Sequence, residues 1–241
     1  KKNWWSRSGV PENMPAGEPG GPDSEVFFEF TQIEHDKKFG EKCHPNCDCG
    51  RFMEIGNSVF MQYIKQEDGS FKELPQKNVD FGGGLERITA AANNSPDVFN
   101  TSLFSEAKKV LENVNMDKED NRNLRIILDH IRAAMFLIDS GIIPTNKDRG
   151  YVLRRLIRRA VAHSKITNIN LEDSMTLLIG AFIEEYLSIY SSLLTNKQNI
   201  VEEILNELSK FNKTLEAGIK LLDSSPSFDL YQSYGFPQEV I

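Results

Sequence analysis

Three consecutive glycines, Gly82 to Gly84, constrain the fold of this chain more than any other feature of its sequence. They follow a run with β propensity and lead into residues 85–92, which have the composition of a helix. Because glycine has no Cβ, a flat ligand and the backbone can approach each other closely at such a turn. Asp80 places a carboxylate before the turn, and Arg87 places a planar cation one turn into the helix. This pattern favours a nucleotide site, with a plain glycine turn at the end of a strand as the alternative.

The glycine turn does not fit the P-loop or the dinucleotide-binding motif. No Lys-Ser or Lys-Thr pair follows the glycines, and the third glycine of a dinucleotide-binding turn is missing. The turn resembles motif 3 of class II aminoacyl-tRNA synthetases, Gly-x-Gly-x-x-Arg, with Gly82, Gly84 and Arg87 at the defined positions. In its longer form, Asp-x-Gly-x-Gly-Leu-Glu-Arg, it is similar to the version found in alanyl-tRNA synthetases.

Four further motifs carry the same resemblance, in the order in which that family has them. They are Gly-Pro-x-Ser-Glu at 21–25, Asn-x-Val-Phe-Met-Gln at 57–62, Arg-Gly-Tyr-Val-Leu-Arg-Arg at 149–155 and Tyr-Gly-Phe-Pro at 234–237. The resemblance implies a cytoplasmic ligase that uses ATP with Mg²⁺, alanine and tRNA(Ala). The chain departs from the family around the first motif, where two common cysteines are replaced by Gly20 and Asp23.

The resemblance implies an alanine pocket and an ATP site in the first part of the chain. Alanine would contact Trp5, Asn57, Val59 and Asp80, ATP would contact Gly82, Gly84 and Arg87, and Asp80 and Arg87 would be the catalytic residues. The carboxylate of Asp80 suits an α-ammonium group, and the β-branched Val59 limits the substrate side chain to about a methyl group. Such size exclusion is worth only about 1–3 kcal/mol per methylene group. Trp4 precedes Trp5 directly and is the alternative for the aromatic residue that packs beside the alanine pocket in the family.

Three strands and a change of composition predict an α+β fold. The strands cover 24–30, 52–64 and 72–80, and the turn at 67–70 makes the last two antiparallel, so that Asn57 and Val59 lie close to Asp80. From Pro96 onward the sequence has helical periodicity. We therefore expect residues 1–95 to be the motif 3 half of a class II antiparallel sheet. Residues 96–241 are expected to form an all-helical domain that recognises the tRNA acceptor stem.

An amphipathic basic helix at 149–161 is the second informative feature. At about 100° per residue, one arc holds Arg154, Arg155, Arg158 and Arg159, and the opposite arc is apolar. Because the chain carries a net charge of −7, a face of four arginines favours phosphate binding. A solvated face paired with acidic neighbours is the alternative.

The family also provides residues that read the identity base pair of the acceptor stem. In the family these are an Asn just before the Arg-Gly-Tyr run and an Asp just before Thr-Tyr-Gly-Phe-Pro. The nearest counterparts in this chain are Asn146 or Asp148 for the first position and Gln232 for the second. Together with Arg149 and the four arginines of the helix, they form the expected tRNA-binding set.

All three cysteines of the chain lie between Cys43 and Cys49. Cys43, Cys47 and Cys49 with His44 would complete a tetrahedral zinc shell, and His35 lies nearby in the sequence. The spacing differs from the paired Cys-x-x-Cys knuckles of zinc ribbons. The sequence therefore leaves two interpretations open, a zinc site and a reduced, exposed loop.

Length and composition are typical of a globular protein with one or two cores. The 241 residues are 39 % hydrophobic and 26 % charged, and no apolar run approaches the roughly 20 residues of a membrane helix. The first residue is Lys1, no signal-peptide core follows it, and the chain ends soon after a Gly-Phe-Pro turn. We expect the chain to be a piece of a longer enzyme and to lack the upstream half that carries motif 2. The piece alone is therefore not expected to activate alanine. A non-catalytic module that binds the tRNA acceptor stem is the competing interpretation.

Overall fold

The chain forms two compact units, Lys1–Thr101 and Ser102–Ile241. The computed structural model describes residues 3–112 and 121–219, with side chains of the last helix described as far as residue 216. Strands occupy the first unit and long helices the second, which confirms the predicted α+β class. None of the helices in the described ranges is both long and apolar enough to span a membrane.

The first unit is built on a four-stranded antiparallel sheet in the order β1-β2-β3-β4. The strands are β1 (Trp4–Ser6), β2 (Pro19–Glu29), β3 (Phe52–Lys65) and β4 (Phe71–Gly83), and helix α1 (Leu85–Ala92) follows β4. The predicted hairpin turn between β3 and β4 is present, with Gly69 at φ 83°. The sequence located β2, β3 and β4 from their β-branched and aromatic residues, although β2 begins five residues earlier than residue 24, and it did not predict β1.

Two irregularities in the pairing of β2 with β3 shape the region around the glycine turn. Between Gly20 and Asp23 the register shifts, and a Cβ on Gly21 would lie 1.7 Å from the carbonyl oxygen of Phe60, so only glycine fits there. Further along, Val26 pairs with Gly56 but Phe27 pairs with Glu54, so Ile55 is an extra residue. Such a β-bulge redirects the groups next to it.

The second unit is a helical bundle. Its helices are α2 (Ser102–Glu112), α3 (Asn121–Asp139), α4 (Asp148–Ile166), α5 (Leu171–Tyr186), α6 (Ser192–Thr195) and α7 (Lys197–Ile219). The core contains fully buried side chains from several of them, including Phe104, Ile131, Met135, Leu153, Phe182 and Phe211. The predicted apolar arc of α4 is largely correct, because Leu153, Ile157, Ala160 and Val161 are buried while Leu156 is half-buried.

Candidate functional site

Asp23, Val59 and Asp80 form one row across the sheet, on three adjacent strands. Val59 pairs with Asp23 of β2 on one side and with Asp80 of β4 on the other. Paired residues point to the same face of a sheet, so two carboxylates flank one small apolar side chain. Val59 is only 6 % exposed, whereas Asp80 is open to solvent. The row thus offers an apolar wall with anionic groups beside it.

A second row lies two residues away on the same face and consists of Glu25, Asn57 and Gly82. The side-chain oxygen of Asn57 lies 3.1 Å from the position that a Cβ on Gly82 would occupy. A larger residue at 82 would push the amide away, so the glycine of the turn also makes room for Asn57. The structure therefore brings Asn57, Val59, Asp80 and Gly82 together, as the strand pairing in the sequence predicts.

Asp23 and Glu25 are members of this face that the sequence analysis did not assign. Oδ1 of Asp23 is buried and has no hydrogen-bond partner within the described part of the chain. A buried carboxylate oxygen without a donor is costly, which is typical of a site that receives a cationic or hydrogen-bonding ligand. The replacement of a cysteine by Asp23 was visible in the sequence, but its register with Val59 depends on the irregular pairing near Gly21.

The glycine turn is anchored to β3 by two backbone carbonyl groups. The N–H of Gly84, which precedes α1, donates to the oxygen of Ile55 at 3.2 Å. Nη1 of Arg87 donates to the oxygen of Glu54 at 3.1 Å and lies 3.5 Å from its carboxylate. The Arg87 side chain is nevertheless 54 % exposed, so a ligand can reach the guanidinium group.

The two adjacent tryptophans occupy different environments. Trp4 is stacked on Tyr63 with 6.0 Å between ring centroids and meets the edge of Phe71 at 5.4 Å. Trp5 pairs with Gly21 and is 42 % exposed. Successive side chains of a strand point to opposite faces, so the two rings cannot serve the same surface. Trp5 as the alanine contact stays a prediction.

Arg158 lies against α7 and is paired with an acid, which is closer to the alternative of a face with acidic neighbours than to an open phosphate-binding face. Its Nε is 2.6 Å from Oε1 of Glu207 on α7, and the side chains of the pair are 15 % and 5 % exposed. The guanidinium also lies over the ring of Phe211 at 5.1 Å. The helical arc was assigned correctly, but α7 packs against part of it and supplies the acid. Arg158 is therefore a half-buried residue whose ion-pair partner, Glu207, is buried.

Arg159 is half-buried and lies against α3. Its Nη1 is 3.2 Å from Nε2 of His130, whose Nδ1 is 3.1 Å from Oδ2 of Asp129. The hydrogen bond with His130 holds the pKa of the Asp129 carboxyl below its usual value, and the nearby arginines act in the same direction. Of the four arginines, Arg154, Arg158 and Arg159 are thus half-buried, and Arg155 is exposed.

Several accessible polar groups lie at the beginning of α4, and Lys165 is exposed on its last turn. Arg149 and Arg155 are exposed, as are Asn146, Lys147 and Asp148 at the start of the helix. Arg154 is half-buried, donates to the side-chain oxygen of Asn146, and lies 5.7 Å from the centre of the Tyr151 ring. We call Asn146, Lys147, Arg149, Arg154 and Arg155 the basic entrance of α4. Gln232 lies outside the described residues.

The cysteine loop brings four metal-ligating side chains together. The ligand atoms of His35, Cys43, Cys47 and Cys49 all lie within 4.8 Å of one another. His44, predicted as the fourth ligand, is exposed and is not part of the group, because the fold brings His35 back to the cysteines from the other end of the loop. A hydrogen bond from His35 lowers the pKa of Cys49 to about 6. Desolvation and a hydrogen bond with the Cys49 sulfur raise the pKa of Cys43 to about 11.

The antiparallel sheet that ends in a glycine turn and an arginine-bearing helix is the arrangement expected of a class II aminoacyl-tRNA synthetase. A family model described as tRNA synthetases class II (A) matches residues 1–241, and the chain belongs to that family.

Three relatives, each named alanine–tRNA ligase, match most or all of the chain. The protein from Petrotoga mobilis is 36 % identical over 262 residues, which cover 100 % of this chain and 28 % of the relative. The protein from Elusimicrobium minutum is 40 % identical over 90 % of this chain and 26 % of its own length. The protein from Thermotoga maritima is 37 % identical over 97 % of this chain and 29 % of its own length. The chain thus spans less than a third of the length of these relatives.

Proposed function

We propose that the chain is part of an alanine–tRNA ligase, which activates alanine with ATP and transfers it to tRNA(Ala). The observation that carries the proposal is the row of Asp23, Val59 and Asp80 beside a motif 3 turn. The carboxylate of alanine attacks the α-phosphorus of ATP and displaces pyrophosphate, and a terminal ribose hydroxyl of the tRNA then attacks the alanyl carbonyl of the adenylate and displaces AMP. Such catalysis depends mainly on positioning and charge neutralisation.

The two polar rows of the sheet suit alanine in size and charge. Asp80 is open to solvent at the end of β4 and accepts hydrogen bonds from the α-ammonium group, with Asn57 on the same face as a further polar contact. Val59 forms the apolar wall against the methyl group. This side chain is buried between neighbouring strands, so it cannot move aside for a larger substrate.

ATP is proposed to bind at the glycine turn. Gly82 and Gly84 leave the backbone open to a flat adenine or ribose, and the exposed part of Arg87 can stack on a ring or donate to phosphate oxygens. Mg²⁺ is held mainly by phosphate oxygens and water in sites of this kind, with one or two protein carboxylates.

The acceptor stem of tRNA is proposed to meet the basic entrance of α4. Lys147, Arg149 and Arg155 are exposed there, and the N-terminus of a helix itself favours phosphate groups. Asn146 and Asp148 also lie at the start of α4. They and Gln232 are the candidates for base recognition. In this proposal Arg158 and Arg159 support the shape of the surface from inside.

Charge reversal at Arg155 is expected to weaken tRNA binding without unfolding the bundle. One lost phosphate contact lowers the slope of log K against log salt by about 0.7–0.9 in magnitude. The effect should be similar for all tRNAs, because phosphate contacts carry no base information. The measurement is tRNA affinity over a salt series for the parent protein and Arg155→Glu.

Lys165→Glu is the matched control for that experiment. Lys165 is exposed on the last turn of the same helix, about 15 Å further along, and its reversal changes the net charge equally. Equal slopes for the parent and Arg155→Glu, or equal losses in both variants, would contradict a specific contact at the basic entrance.

The 241-residue chain alone is expected to show no alanine-dependent exchange of pyrophosphate into ATP, and the full-length protein is expected to show it. The reason is that motif 2, which provides the arginine at the α-phosphate in the resembling family, has no match in these residues. Exchange by the isolated chain would overturn this expectation. If the full-length protein binds tRNA but catalyses no exchange with alanine, the non-catalytic binding module becomes the better interpretation.

A further inference from the structure

We propose that His35, Cys43, Cys47 and Cys49 bind one Zn²⁺ ion, which holds the loop between β2 and β3 in its folded conformation. Three thiolates and one imidazole are a complete protein shell for tetrahedral zinc, and such closed sites are structural rather than catalytic. The inference rests on the geometry of the loop and is independent of the proposed ligase activity.

Two of the distances between the four side chains fit one tetrahedral ion, and all four ligand atoms lie within 4.8 Å of one another. Sγ of Cys43 and Sγ of Cys49 are 3.6 Å apart, as are Sγ of Cys47 and Nδ1 of His35. Ligands about 2.0–2.3 Å from a central zinc are roughly 3.5–3.8 Å apart in a tetrahedron. The two sulfur atoms are also much further apart than the roughly 2.05 Å of a disulfide bond. The arrangement therefore matches coordination and not a cross-link.

The orientation of His35 supports the same conclusion. Its Nε2 is 2.7 Å from the carbonyl oxygen of Gly40. With the proton on Nε2, the lone pair of Nδ1 points toward the sulfur atoms. A ligating histidine commonly donates its other N–H to a carbonyl oxygen, which fixes the ring and its tautomer.

The other interactions of the loop are local turns and a few hydrogen bonds near its base, such as that from Gln32 to the carbonyl oxygen of Asn94. Within residues 31–50, all of which the structure describes, Cys47 is the buried side chain, and the short 3-10 turn Lys37–Phe39 is the regular element. At the base of the loop, the N–H of Phe30 donates to the oxygen of Arg51 at 2.8 Å, and Arg51 pairs with Glu29 at 2.7 Å. A loop of this length without a core needs another source of order. Metal binding provides it, and the thiols release their protons as the ion binds.

The test is the metal content of the protein purified under reducing conditions without added metal. Elemental analysis should find one zinc ion per chain, and the His35→Ala variant should lose most of it. His44→Ala is the matched control, because His44 is an exposed histidine within the same loop and should leave the zinc content unchanged. Replacement of zinc by Co²⁺ in the parent protein should give thiolate-to-cobalt absorption bands, which are absent when the thiols are blocked.

Three results would overturn the zinc site. They are a zinc content below about 0.2 per chain, an unchanged content in His35→Ala, and loss of zinc from His44→Ala but not from His35→Ala. If His35→Ala does not fold, the cobalt spectrum of the parent protein decides, since a disulfide or empty loop gives no such bands. Iron in place of zinc would also contradict the proposal.

Discussion

Asp80→Ala in the full-length protein is expected to lower kcat/KM for alanine by roughly 30- to 700-fold while changing the use of ATP little. Removing one partner of a desolvated, hydrogen-bonded charge pair costs about 2–4 kcal/mol, and each 1.4 kcal/mol is a factor of ten. Asp80 lies in register with Val59, and in the proposed site its carboxylate would meet the substrate ammonium beside that apolar side chain. The measurement is pyrophosphate exchange, first with alanine varied at saturating ATP and then with ATP varied at saturating alanine.

Two variants test whether the charge of Asp80 is what matters. Asp80→Asn keeps the shape and removes the charge, so it should resemble Asp80→Ala. Glu67→Ala removes an exposed carboxylate from the turn of the same hairpin and should have parent-like kinetics. Arg87→Ala should instead impair the use of ATP. Equal losses for both substrates in the Asp80 and Arg87 variants would contradict the separate roles assigned to them.

Arg158→Glu is expected to destabilise the helical unit by at least about 3–5 kcal/mol, the usual cost of breaking a buried ion pair. The substitution would place two carboxylates together between α4 and α7, where Glu207 is only 5 % exposed. Arg155→Glu, on the exposed part of the same helix, should change stability by less than about 0.5 kcal/mol. Urea denaturation of the two variants and the parent protein provides the comparison.

The exchange of both partners gives a further check on the Arg158–Glu207 pair. Arg158→Glu combined with Glu207→Arg should recover part of the stability that Arg158→Glu alone loses, because opposite charges again face each other. If Arg158→Glu keeps the parent denaturation midpoint and only weakens tRNA binding, then Arg158 faces the RNA in solution and the buried pair does not stabilise the bundle.

Local sequence patterns were sufficient for strands β2 to β4, for the helical part of the chain and for the pairing of β3 with β4 around Val59. The strands contain β-branched and aromatic residues, and a short turn fixes the register of β3 on β4, so Asn57 and Val59 could be placed beside Asp80. The helices have apolar residues at helical spacing. These properties depend on neighbours along the chain and can be read from the sequence.

Contacts between distant segments could not be read in this way. Glu207 lies 49 residues from Arg158, and only the packing of α7 on α4 brings them together. His35 precedes Cys43 by eight residues, yet it and not the adjacent His44 lies with the three cysteines, because the loop folds back on itself. The place of Asp23 beside Val59 depends on an irregular register that no periodic pattern contains.

The β-bulge at Ile55 would preorganise Arg87 for the nucleotide binding proposed above. In a regular strand, consecutive carbonyl groups point to opposite sides. The extra residue lets the carbonyl groups of Glu54 and Ile55 both serve the segment after β4, one for Arg87 and one for Gly84. A mobile arginine side chain loses up to about 2 kcal/mol of rotamer freedom when it is immobilised. Because Arg87 is already partly immobilised in the folded chain, a nucleotide that contacts it loses less of its binding free energy to side-chain ordering.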